Sequence, residues 1–246
     1  MKARRSVPTA IAIAMLASVV LGCGKPDREQ LLREFDEQIA SQPLFKAVAD
    51  DMPAEYAQFR TRIVSMVERG ATRNELQDYS REWGRTMLAP LMLRHAARAS
   101  DDAIIGMVRE SVAMMKTLGA VDAEQCYGWM FGGAPAPSDE VRKAMTGHEQ
   151  QMQGSVTRLI ESGRARENEP PDVAAAQQEL QGVLQGIAAR EGQDVVDTIA
   201  QIGDRAAMSQ DFGAACNATI SLYNSVLALD KPVAGNTLRM MFSAAG

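Results

Sequence analysis

Ser100-Asp-Asp-Ala-Ile-Ile-Gly-Met-Val-Arg-Glu-Ser-Val-Ala-Met-Met-Lys-Thr-Leu-Gly119 carries the fold class of this 246-residue chain. Ile104, Ile105, Val108, Val112 and Met115 recur at three- and four-residue spacing, the period of a helix with a buried stripe. Ser100 is placed to cap the start, and Asp101 and Asp102 oppose the positive end of the helix dipole. Gly119 is placed to end it.

The same period continues outward in both directions. Upstream, the spacing predicts helices over about 27–41 and from Pro43, from Pro53 to a stop at Gly70, and from the Thr72-x-x-Glu75 capping box through Trp83, with a kink at Pro90. Downstream, Asp122 caps a short helix holding Cys126 and Tyr127. Ser138 opens one long helix running through Met145, His148 and Met152 to Ile160, stopped at Gly163. Further helices follow over 173–189, 194–208, 211–229 and from Pro232. Alternating Val/Ile/Thr-rich runs are absent, so the expectation is an all-α protein of about ten helices, in a bundle or a stacked array of helix pairs.

Gly132-Gly-Ala-Pro-Ala-Pro137 has linker composition. The body, 27–246, is expected to be one domain, with possible halves 27–131 and 138–246 related as a diverged repeat. The parallel is a helix ending at glycine (Gly70, Gly163), then two more helices, then one with a cysteine near its start (Cys126, Cys216).

The N-terminus is of a different kind. Lys2, Arg4 and Arg5 precede an almost uncharged apolar stretch, Val7–Leu21, too short for a comfortable membrane span. It ends in Val20-Leu21-Gly22-Cys23, which resembles the lipobox of bacterial lipoproteins. The resemblance covers residues 1–23. It implies that 1–22 is a signal peptide, that Cys23 carries a diacylglycerol and an N-acyl chain such as palmitate, and that 23–26 is a lipidated tether. With glycine at position 24, it implies the periplasmic face of the outer membrane. Each buried CH₂ contributes about 0.8 kcal/mol, so three chains would anchor firmly.

Composition narrows the partners. The chain has 26 Lys+Arg and 31 Asp+Glu, a net charge of −5, which leaves no basic footprint for nucleic acid. Loss of residues 1–22 would take three basic residues and no acidic one, for a net charge of −8. Of three cysteines, Cys23 is taken by the lipid in this reading. Cys126 and Cys216 then remain in an oxidising compartment and are expected to pair.

Two constellations suggest chemistry. Met145, His148 and Met152 fall at i, i+3, i+7 of one expected helix, as Met92 and His95 repeat the Met-x-x-His spacing. Thioether and imidazole suit Cu(I), although the same residues fit an apolar stripe. Glu110-Ser111 is similar to the Glu-Ser pair of lytic transglycosylases, but it falls mid-helix, with Arg109 and Ser111 on the expected solvated side, and the other segments of that family are missing. Phosphate-binding glycine loops, GxSxG, CxxC and HExxH are absent from the sequence. The expectation is an envelope lipoprotein that binds a protein partner or an apolar ligand, with no cofactor and no catalysis. A copper-handling protein or a cell-wall lytic enzyme is the alternative.

Overall fold

The computed structural model describes residues 43–243, without 133, 134 and 210, together with Glu29, Leu32, Arg33, Asp36 and Glu37. Cys23, the leader and most of the helix expected over 27–41 lie outside the described residues. The protein is all-helical, with twelve helices among the described residues. They are α1 Pro43–Asp51, α2 Pro53–Glu68, α3 Arg73–Ala96, α4 Asp101–Gly119, α5 Ala123–Phe131, α6 Asp139–Thr146, α7 Glu149–Ala165, α8 Val173–Glu191, α9 Gln193–Gln201, α10 Arg205–Met208, α11 Phe212–Leu227 and α12 Lys231–Ser243.

The chain divides into two compact units, residues up to Met92 and Leu93–Gly246, and the Gly132–Pro137 segment lies within the second. In the first unit Phe59, Ile63 and Leu76 are buried, and Phe45, Tyr79 and Trp83 pack against them. Phe59 stacks on Trp83 with ring centroids 4.0 Å apart. The capping box forms as spelled: Glu75 N–H donates to Thr72 Oγ1, and Thr72 N–H donates to the Glu75 carboxylate at 2.6 Å. The Thr72 N–H and the Thr72 hydroxyl, which both donate to that carboxylate, hold it below the usual carboxylate range. Gly70 ends α2 at φ +77°, a conformation glycine adopts without strain. α3 continues through Pro90.

The second unit is built around α4. Ten of its nineteen residues are buried, and α5, α6, α7, α11 and α12 all pack on it. Because α4 is covered on nearly every side, Ser111 is buried rather than solvated, and its hydroxyl donates to the Met107 carbonyl at 3.0 Å.

Four local expectations are corrected. Ser100 is the N-cap residue of α4, but its hydroxyl makes no capping bond. Its N–H instead donates to Ser162 Oγ at 2.7 Å, which in turn donates to the Glu167 carboxylate at 2.7 Å. The long helix expected from Ser138 is two helices, broken at Gly147 and His148. The helix expected over 194–208 breaks at 202–204, where the Asp204 carboxylate caps Ala206 and Ala207 and the Ile202 carbonyl accepts from Tyr127 Oη at 2.9 Å. Gly163 does not stop α7. The helix runs on to Ala165 and ends at Arg166 in the left-handed conformation. Gly163 is instead a contact point, since a Cβ there would lie 2.2 Å from the backbone oxygen of His95.

The C-terminal helix is held to the start of α4 by one nearly buried ion pair. Arg239 Nη1 donates to the Asp101 carboxylate and, at 3.3 Å, to the Ala99 carbonyl, while Asn168 Nδ2 donates to Asp101 at 3.2 Å. A Cβ on Gly235 would collide with Asp101, so α12 presents a glycine where that carboxylate passes.

Two predictions follow from these contacts. Gly163→Ala should destabilise by about 3 kcal/mol, the upper end of overpacking costs, because the obstruction is backbone. Gly106→Ala, whose Cβ meets open space, should be neutral or stabilise by up to ~1 kcal/mol. Asp101→Asn should cost about 3–5 kcal/mol by leaving the Arg239 guanidinium buried without its counter-charge, whereas Asp101→Leu with Arg239→Met should cost clearly less. Urea unfolding followed by circular dichroism reads both sets.

Candidate functional site

Cys126 and Cys216 are joined in a disulfide, with Cα atoms 5.9 Å apart across a sequence separation of 90. Both are buried. The helix caps place them: Asp122 accepts from Gln125 N–H, and Asp211 from Ala214 N–H, so each cysteine sits in the second turn of a firmly started helix. The bond lies under the end of α4, where a Cβ on Gly119 would be 3.2 Å from Cys216 Sγ. It therefore ties α5 to α11 directly beneath the central helix.

Beside it lies an aromatic corner. Tyr127 and Phe212 have ring centroids 5.1 Å apart, and the Arg205 guanidinium carbon sits 5.0 Å from the Phe212 centroid and 5.7 Å from that of Tyr127. Arg205 also pairs with Glu124 at 2.5 Å and donates to the Gly132 carbonyl at 3.2 Å. Burial raises the Tyr127 phenol above its ordinary range, with the Arg205 charge acting the other way. The Tyr127 hydroxyl is the donor to the Ile202 carbonyl.

The residues singled out for metal binding are not aligned as the sequence suggested. Met145 is on α6 and Met152 on α7, and His148 is the residue before α7, so no single helix carries all three. His148 Nε2 lies 2.9 Å from Thr117 Oγ1. His95 is buried, and its backbone faces Gly163. No group of three or more His, Cys, Asp or Glu side chains placed to hold a metal ion occurs among the described residues. Glu110 is half-buried in the middle of α4, next to exposed Arg109.

What the sequence did not disclose is an open groove of about 680 Å³ between α8 and α11. Val183 and Ile220 give it apolar lining, and Asn217 and Asn224 give it amides that can meet a backbone. Gly182 and Gly186 on α8 make room for it. One end is closed by polar bridges: Arg190 Nη2 donates to Ser225 Oγ at 2.9 Å, and Ser221 Oγ donates to Glu191 at 2.6 Å. Its lining comes from residues about 40 apart, which is why periodicity within single helices gave no sign of it. The groove offers shape, apolar contact and hydrogen bonds, which suits binding of a chain segment.

Comparison with protein-family models, curated proteins and solved structures gives no match. No helix among the described residues is long and apolar enough to cross a membrane.

Replacing both Cys126 and Cys216 by alanine should lower stability by up to about 4.6 kcal/mol, the chain-entropy figure for a loop of this length. The drop in thermal midpoint, measured by calorimetry against the oxidised wild type, checks it.

Proposed function

We propose that this protein is a lipid-anchored component of a bacterial envelope whose helical body binds a partner rather than catalysing a reaction. The anchor rests on the Lys2–Cys23 leader pattern. The observation that carries the compartment is the Cys126–Cys216 disulfide, because a buried bond between the two cysteines left by that leader is what an oxidising compartment produces. The binding role is supported by the groove between α8 and α11. An acidic body of net charge −8 suits solubility beside an anionic surface, with membrane attachment left to the acyl chains.

Intact mass of the protein extracted from its membranes tests this reading. The expected mass is that of residues 23–246 plus three acyl chains, two hydrogens below the dithiol, with no alkylation of the denatured chain until reductant is added. An unacylated mass would remove the anchor. Two alkylatable thiols without reductant would remove the compartment argument.

A further inference from the structure

Residues 193–209, which hold α9 and α10, are attached to the protein differently from the helices on either side. α8 and α11 both reach the core, where Ile187 and Val226 are fully buried. Within 193–209 only Met208 is buried, and the apolar residues of α9, Val195, Val196 and Ile199, are half-buried. The side-chain bonds of α9 stay within it: Gln193 donates to Asp197, and Thr198 donates to the Asp194 carbonyl. A segment with so little buried surface and so few outward bonds belongs to the low end of local stability.

The bonds that do leave the segment converge on one place. Beyond its flanking turns, every hydrogen bond and ion pair from 193–209 to the rest of the described protein goes to α5 or to Gly132, directly after it. Tyr127 Oη donates to the Ile202 carbonyl, and Arg205 reaches both Glu124 and the Gly132 carbonyl. The same guanidinium lies over the Tyr127 and Phe212 rings, and Ile202 and Met208 pack with Tyr127. α5 cannot follow the segment, because the Cys126–Cys216 bond fixes it to α11.

The two ends are firmly held, with a turn between. Before the segment, the bonds of Arg190 to Ser225 and of Ser221 to Glu191 fasten the end of α8 to α11. Gly192 then turns at φ +107°, where a Cβ would lie 2.4 Å from the Asp194 carboxylate. After the segment, Asp211 accepts from Ala214 N–H and starts α11. We propose that residues 193–209 form a strap that opens and recloses as one unit between Gly192 and Asp211, while α4, α8 and α11 stay folded, with Arg205 as its latch. The Arg205–Glu124 pair is about one-third exposed on both sides, so it is weak by itself. It is lost together with the Gly132 bond and both ring contacts, which makes the latch cooperative. Opening lifts Arg205, Ile202 and Met208 from Tyr127 and Phe212, and exposes an apolar corner edged by the Glu124 carboxylate. The inference depends neither on the lipid anchor nor on the groove.

Hydrogen exchange of the oxidised full chain under native conditions, read by mass spectrometry of its peptides, tests the strap. Exchange over minutes to hours reports openings of this kind. In the wild type the amides of α9 and α10 should exchange together, with protection at least tenfold below that of α4 and α11. Arg205→Ala should speed exchange across α9 and α10 at least tenfold more and leave α4 and α11 unchanged. Tyr127→Phe, which loses only the bond to the Ile202 carbonyl, should speed the same amides by a smaller factor. Arg142→Ala, which removes a bond to the Pro137 carbonyl outside the strap, should leave them unchanged. Wild-type α9 amides as protected as those of α11, or an Arg205→Ala variant that quickens α10 alone or all helices alike, overturns the proposal.

Discussion

The burial of all but one narrow stripe of α4 is the constraint on which the second unit depends. A helix with Ile104, Ile105, Val108 and Val112 on one stripe and Met107, Met114 and Leu118 around it leaves only the line of Asp102, Arg109 and Lys116 to water. Five other helices supply the cover. Its two ends are handled differently. At the start, Asp101 gathers Arg239 and Asn168, so the carboxylate that favours the helix dipole also fixes α12 and the 166–169 loop. At the finish, Gly119 sits against the sulfur bridge that ties α5 to α11. A hydrophobic rod is thus clamped electrostatically at one end and covalently at the other.

Local signals were legible because they are local. Thr72 with Glu75, Asp122 and Ser138 all cap where their spacing to a first apolar residue says they should. The all-α class was legible for the same reason, since periodicity survives in every segment. The failures lie where a distant partner intervenes. Ser100 makes no cap bond, and its N–H and hydroxyl both meet the hydroxyl of Ser162, 62 residues away. The Ile202 carbonyl is taken by Tyr127, and a helix that reads as continuous breaks there. Gly163 reads as a terminator but serves as a gap for the His95 backbone.

The methionines show how much of a candidate site can dissolve into packing. Met107, Met114 and Met115 fill the core around α4, where an unbranched, polarisable side chain fits irregular space. The Met145–His148–Met152 pattern depended on an unbroken helix, and the break at Gly147 removes the shared face. The cysteine expectation, by contrast, needed only count and compartment, and the bond is present. The groove needed the three-dimensional pairing of α8 with α11, which no single-helix pattern encodes.

The span of the sulfur bridge bears on how the chain is made. Cys126 emerges from the ribosome 90 residues ahead of Cys216, a lead of roughly 5–20 s at ordinary rates of synthesis. During that interval α6 to α10 are made, and Cys23 is the one other cysteine already synthesised. Three cysteines allow three pairings, and the one the fold holds needs Cys216, the cysteine made last, so the bond that ties α5 to α11 closes only after the helices between them have been synthesised.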